Sequence, residues 1–113
     1  MIRRRKSVLA LLTVGLACGA GAAVASIDVT RHEIVMRGNS FTPRDLTVDL
    51  GDTIVWKNVD IVRHNAVRAE TFDTGELRTG DSNSWIPADT GTYRYRCTIH
   101  QRMRGTVTVA TKP

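Results

Sequence analysis

Three potential metal ligands recur at intervals of three residues near the end of the chain. Cys97, His100 and Met103 place a thiol, an imidazole and a thioether within seven residues. A soft thiolate and thioether beside an imidazole suit copper better than they suit calcium or magnesium. A second imidazole would complete the donor set of electron-transfer copper sites, which is two histidines, one cysteine and an axial methionine. His64, 33 residues before Cys97, is the candidate for that remaining ligand.

Other interpretations of these residues stay open. A single cysteine is commonly a buried inert thiol, and methionine is a common core residue, but that account does not explain why the three occur together on one loop. A structural zinc site usually needs more cysteines or a Cys2His2 set. A cysteine hydrolase needs a histidine base and an oxyanion hole beside its thiolate. Copper is the leading interpretation, and His32 is interpreted as a structural or surface residue.

A strand-like segment comes immediately before the ligand loop. Residues 91–96 alternate apolar and charged side chains, which is typical of a half-buried strand. This alternation places Tyr93, Tyr95 and Cys97 on one face, and the two tyrosines make it the inward face. The pattern therefore predicts that Cys97 lies at the edge of the core. A tight loop would then bring His100 and Met103 back towards its sulfur.

Similar period-two patterns recur through the rest of residues 26–113. They predict strands at 31–37 with Ile34 and Met36 inward, 45–50 with Leu46, Val48 and Leu50 inward, 53–58, 85–86, and 106–109 with Val107 and Val109 inward. Phe72 and Leu77 are the predicted apolar anchors of the polar connection at 68–84. No part of this region keeps a helical apolar period for ten residues. The predicted fold class is all-β, a small Greek-key sandwich or barrel.

The first 25 residues resemble a secretory signal peptide. A basic segment (Arg3–Lys6), an apolar run and Ala23-Val24-Ala25 form that pattern. Cleavage would leave residues 26–113 as one domain and lower the net charge from +5 to +1, which is 12 Lys and Arg against 11 Asp and Glu. The high pI therefore gives no support to nucleic-acid binding. Export to the periplasm is the prediction, with an uncleaved membrane anchor or a lipidated Cys18 as alternatives.

Taken together, these motifs resemble the cupredoxins over most of residues 33–109. The matching segments are Phe41-Thr42-Pro43, Gly51-Asp52-Thr53-Ile54-x-Trp56-x-Asn58, His64-Asn65-Ala66, and the run from Gly91 through the ligand loop to Gly105-x-Val107. The two-residue gaps on either side of His100 are similar to the short ligand loop of the amicyanins. Ile99, Gln101 and Arg102 depart from the prolines and the bulky apolar residue usual there. That departure predicts a freer loop and easier protonation of His100 in the reduced protein.

The resemblance implies a set of site residues. It implies one type 1 copper bound by His64, Cys97, His100 and Met103, with His100 as the partly exposed ligand through which electrons pass. It also implies that the backbone N–H of Asn65 hydrogen-bonds to the Cys97 sulfur.

The arginines near the ligand loop have two interpretations. Arg102 and Arg104 would rim the electron port and steer an acidic redox partner. Arg94 and Arg96 are interpreted more simply as outward-facing strand residues that keep the sheet soluble.

The expected function is a monomeric one-electron carrier that cycles Cu(I)/Cu(II), not an enzyme. A dehydrogenase, cytochrome or oxidase would be its redox partner. Two alternatives remain open: a periplasmic module that binds and delivers copper, and a membrane-tethered cupredoxin that passes electrons to a neighbouring oxidase.

Overall fold

The computed structural model describes residues 29–112, which form strands and turns without a helix. The strands are β1 (Arg31–Arg37), β2 (Ser40–Thr42), β3 (Asp45–Asp49), β4 (Thr53–Asn58), β5 (Val67–Arg68), β6 (Phe72–Asp73), β7 (Ser82–Trp85), β8 (Gly91–Arg96) and β9 (Arg104–Ala110). They make one sheet in the order β2-β1-β4-β7 and another in the order β3-β9-β8-β5-β6. The all-β prediction is confirmed. The predicted signal peptide, residues 1–25, lies outside the described residues.

The core lies between the two sheets and follows from the alternation of side chains. Inward residues of the first sheet include Ile34, Met36, Ile54 and Trp56, and those of the second include Val48, Tyr95, Val107 and Val109. Full burial of an aliphatic side chain of this size stabilises the fold by about 1.5–3 kcal/mol. β1 runs parallel to β4 and β3 runs parallel to β9, while the other pairs are antiparallel. No helix long and apolar enough to cross a bilayer occurs between residues 29 and 112.

Two details of the strand predictions are wrong. Leu50 was expected inward, but its side chain is 39% exposed because β3 ends at Asp49 and the chain turns at Gly51, whose φ is +96°. The strand predicted at 85–86 has the wrong bounds, because β7 covers Ser82–Trp85 and leaves Ile86 outside it and exposed. Leu77 is buried and Phe72 packs on the core, as predicted.

The end of β8 fixes the entry to the ligand loop. Tyr95 lies opposite Gly105 of β9, and a Cβ at position 105 would overlap the tyrosine ring. The tyrosine therefore packs directly on the backbone of its neighbour, two residues before Cys97. The strand ends at Arg96, and the thiol that follows is fully buried. Cys97 accordingly sits at the edge of a rigid core.

A buried carboxylate ties the start of β1 to the β3–β4 turn. Asp52 accepts hydrogen bonds from the backbone N–H groups of Thr30 and Asp49 and lies 2.9 Å from Nε2 of His32. The His32 hydrogen bond, helped by the two backbone donors, outweighs burial and holds the pKa of Asp52 below its ordinary value of 3.8. The partner of His32 is therefore Asp52, which is not one of the predicted metal ligands, and the interpretation of His32 as a structural residue fits this contact.

Replacing Asp52 by asparagine should make stability less dependent on acid pH. Because its folded-state pKa is lowered, ionised Asp52 contributes its full stabilisation above about pH 4 and loses it as the pH falls through the folded-state value. We expect Asp52→Asn to lower the unfolding free energy by about 1–3 kcal/mol near neutral pH. The difference in unfolding free energy between the variant and wild type should become smaller as the pH is lowered. Denaturant titrations between pH 2.5 and pH 6 would measure it. Asp45→Asn, at an exposed site, is the matched control, and a gap independent of pH would contradict the prediction.

Candidate metal centre

Donor atoms of three residues converge at one end of the sandwich. Nδ1 of His64 lies 3.2 Å from Nδ1 of His100, and that nitrogen lies 3.6 Å from Sγ of Cys97. All three donor atoms lie within 4.8 Å of one another. His64 and Cys97 are buried, whereas His100 is only partly buried. Within residues 29–112 no other group of three or more histidine, cysteine or acidic side chains is arranged to hold a metal ion.

Backbone pairing fixes the position of His64. His64 and Leu77 form an isolated antiparallel bridge, with hydrogen bonds of 3.2 and 2.7 Å between their backbone groups. The buried side-chain amide of Asn58 donates to the carbonyls of Val62 and Leu77, and its oxygen accepts from the N–H of Asp60. The loop that carries His64 is therefore anchored at several points along its length.

Asp60 sets the orientation of the His64 ring. Its carboxylate lies 2.7 Å from Nε2 of His64 and also accepts from the backbone N–H groups of Gly38 and Asn39. A carboxylate only accepts hydrogen bonds, so Nε2 carries the proton and Nδ1 of the neutral ring presents its lone pair towards Cys97 and His100. Such a carboxylate–histidine pair is the usual way in which a metal-binding imidazole is oriented.

The Asp60 carboxylate is held in its charged form. Burial opposes its ionisation, but the hydrogen bonds from Gly38, His64 and Asn39 outweigh burial and keep the pKa of Asp60 below its ordinary value. Sequence reasoning missed this residue. The signal that could have found it is the spacing of Asp60 and His64, four residues apart on a connection rich in turn residues.

Asp60→Asn should weaken copper binding by about tenfold to hundredfold, the usual cost of losing a partner of a ligating histidine. An asparagine amide nitrogen cannot accept from Nε2, and its single acceptor oxygen must serve three donors. Competition with a chelator of known affinity would measure the change. Asp52→Asn is the matched control, because it alters the other aspartate–histidine pair of the chain. Equal effects of the two substitutions would contradict the role given to Asp60.

Asn65 joins the two loops that carry the donors. Its backbone N–H donates to Sγ of Cys97 at 3.5 Å. Its side chain makes two further bonds to Thr98, accepting from the backbone N–H at 2.7 Å and donating to the hydroxyl at 2.8 Å. The sequence suggested only the first of these contacts. Together the three bonds hold the His64 segment and the Cys97 segment at a fixed separation.

Met103 closes the ligand loop. Its N–H donates to the carbonyl of His100, and its carbonyl accepts from the N–H of Cys97, both at 3.0 Å. The side chain is buried in the same cluster as Cys97. The structure thus brings the donor atoms of His64, Cys97 and His100 together, places Met103 next to Cys97 and His100 through its backbone bonds, and leaves His32 with Asp52.

The donor set fits one type 1 copper. Nitrogen and sulfur ligands lie about 2.0–2.3 Å from zinc in protein sites. Donor atoms at such distances around one ion are about 3.3–3.8 Å from one another. The His100–Cys97 separation of 3.6 Å falls within that spacing and the His64–His100 separation of 3.2 Å is just below it, while all three donor atoms lie within 4.8 Å of one another. A thiolate with two imidazoles and a methionine is the donor chemistry of such copper. Zinc would be expected to have a more cysteine-rich set or an open catalytic position.

Comparison with known proteins agrees with this chemistry. The sequence model of the cupredoxin-like domain family matches residues 8–109. The chain is 33% identical to the amicyanin of Paracoccus versutus over a 95-position alignment that covers 76% of this chain and 71% of that protein.

Solved structures show the same architecture. A purple cupredoxin from Nitrosopumilus maritimus superposes with a TM-score of 0.66 at 29% identity, covering 70% of this chain and 99% of that one. A copper-containing nitrite reductase from Thermus scotoductus superposes with a TM-score of 0.70 at 26% identity. The match covers 83% of this chain but only 25% of the reductase chain.

Proposed function

The chain belongs to the cupredoxin-like family, and from this premise we propose that it is an exported one-electron carrier rather than an enzyme. The observation that carries the proposal is the convergence of two imidazoles and one thiol at the end of a rigid β-sandwich. We propose His64, Cys97, His100 and Met103 as the copper ligands, with residues 26–113 as the exported domain and residues 1–25 as its signal peptide. The periplasm is the proposed compartment.

The chain's own residues would keep the site from rearranging during electron transfer. Bound copper would supply the one-electron Cu(I)/Cu(II) couple. Asp60 holds the His64 ring through Nε2, and Asn65 joins the two ligand segments. Because these contacts join protein groups to one another, they would hold His64 and Cys97 in place without relying on the metal. Little reorganisation is then needed when an electron arrives or leaves.

The proposed port for electrons is His100, the partly exposed donor. Exposed apolar side chains stand beside the two histidines in sequence: Ile61 and Val62 precede His64 at 95% and 44% exposure, and Ile99 precedes His100 at 44%. We propose that these exposed side chains contact the redox partner, since a set of them around the port would form an apolar contact site. A small, transient contact of this kind is typical of redox partners.

The proposal is tested by the visible spectrum and redox cycling of the copper-loaded protein. We expect an intense blue absorption that disappears on reduction and returns fully on oxidation. A colourless copper complex, or one that loses its metal readily to a chelator without redox cycling, would contradict the electron-carrier proposal. It would instead support the copper-delivery alternative.

A further inference from the structure

Six arginines gather on the outer surface of the second sheet and its margin. We call this surface the arginine face; its members are Arg44, Arg68, Arg94, Arg96, Arg102 and Arg104. A cavity of about 350 Å³ is lined by four of them, and Arg94 and Arg104 also line a second cavity of about 210 Å³. A third cavity of about 160 Å³ has Arg44, Arg102 and Arg104 in its wall. Shared lining residues make the three cavities one continuous surface.

The charges of the arginine face are not balanced within the described part of the protein. Among residues 29–112 none of the six guanidinium groups has a carboxylate within 4.0 Å. Asp45 is the one acidic side chain that lines these three cavities, and Glu70 and Asp73 line a neighbouring cavity of about 290 Å³ that shares Arg68 with the first. Arg96 and Arg104 are direct cross-strand partners, an arrangement in which like charges repel. The fold therefore carries a repulsion that an anion on this surface would relieve.

The rest of the described chain has the opposite charge. Residues 29–112 contain 12 Lys and Arg against 10 Asp and Glu, so without the arginine face six cations face 10 anions. A molecule with this separation of charge is oriented in the field of a charged partner. The arginine face begins at Arg102, which lies within the ligand loop two residues after His100, so a partner drawn to this face arrives next to His100.

Arg68, one member of the arginine face, is held in place by contacts within the protein. Nη1 of Arg68 donates to the carbonyl of Arg94 at 2.9 Å, and its guanidinium lies 5.6 Å from the centre of the Tyr93 ring. Side chains that are already ordered lose less entropy on binding. All six residues are arginine rather than lysine, and the guanidinium fork matches the two oxygens of a carboxylate.

We propose that the arginine face binds a cluster of carboxylates on a protein partner. The binding itself is argued from the arginines, and only the statement that the partner is a redox protein rests on the proposed function. A membrane surface is the less suitable occupant, because none of the exposed large apolar side chains lines these cavities to insert into lipid. Carboxylates on a protein surface fit both the concave shape and the arginine chemistry. Arg94 and Arg96, interpreted from the sequence as solubilising residues, thus take part in recognition.

A polyglutamate peptide is the probe for this proposal. We expect the copper-loaded protein to bind it at an ionic strength of about 0.01 M, where the Debye length is about 30 Å, and to release it as salt is added. The double variant Arg94→Gln with Arg104→Gln should bind about tenfold more weakly. The control, Arg31→Gln with Arg37→Gln, removes the same charge from β1 of the other sheet and should bind almost as wild type.

Several results would overturn the proposal. These are no binding of the peptide, equal weakening in both double variants, tighter binding to phosphatidylglycerol vesicles than to the peptide, and displacement of the peptide by an equal concentration of inorganic phosphate. The blue absorption and its reversible loss on reduction are recorded in the same samples. If the protein is blue and redox-active but does not bind the peptide, only this inference is refuted. If it binds the peptide but has no redox activity, only the proposed function is refuted.

Discussion

Cys97→Ser should abolish the intense visible absorption of the copper-loaded protein. That absorption requires a thiolate sulfur bound to Cu(II), and the Cys97 thiol is the only one in residues 29–112. A serine hydroxyl is a hard, weakly acidic donor that does not replace a soft thiolate. We expect the blue absorption to be lost rather than shifted, and the reversible one-electron cycle to be lost with it.

The absorption spectrum and the copper content of the variant would be measured together. Thr98→Ser is the matched control, because the neighbouring residue loses one methyl group and keeps the hydroxyl that accepts from Asn65. Circular dichroism of the metal-free proteins would show that both variants fold. A blue band that survives in Cys97→Ser would mean that this sulfur is not a copper ligand.

His64→Gln should weaken copper binding more than any change outside the ligand set. The substitution removes a buried donor nitrogen and leaves the Asp60 carboxylate without its ring partner. Loss of an outer partner of a ligand already costs about tenfold to hundredfold, so loss of the ligand itself should exceed a hundredfold. Chelator competition would measure the affinity.

The chain provides a close control in His32→Gln. His32 also pairs with an aspartate, but its partner is the buried Asp52 and it takes no part in the cluster of donors. We expect His32→Gln to lower stability and leave copper affinity unchanged. Equal losses of affinity in the two variants would contradict the assignment of His64.

Local patterns explain why much of the fold and site was predictable. Period-two alternation identifies the inward faces of β1, β8 and β9, because successive side chains of a strand point to opposite faces. The donors on the ligand loop are close in sequence, so their spacing alone brings them near one another. His64 could be selected because residues 26–113 offer only one histidine besides it and His100. Of His64 and His32, only His64 lies in a segment, His64-Asn65-Ala66, that resembles the cupredoxins.

Contacts between distant segments explain what was missed. The Asp60 carboxylate accepts hydrogen bonds from the backbone N–H groups of Gly38 and Asn39, which lie more than 20 residues earlier in the chain. A local sequence pattern cannot predict a contact over that separation. Alternation likewise cannot say where a strand ends, which is why Leu50 was wrongly placed in the core. The arginine face depends on the strand order β3-β9-β8-β5, which brings separated arginines to one surface.

X-ray absorption spectroscopy at the copper edge tests the central claim most directly, since it reports the atoms bound to the metal. Wild-type protein loaded with one copper per chain should show one short sulfur contact and two imidazole nitrogens in the first shell. Cys97→Ser should lose the sulfur contact, and His64→Gln should lose one nitrogen. A wild-type first shell of nitrogen and oxygen alone would contradict the account.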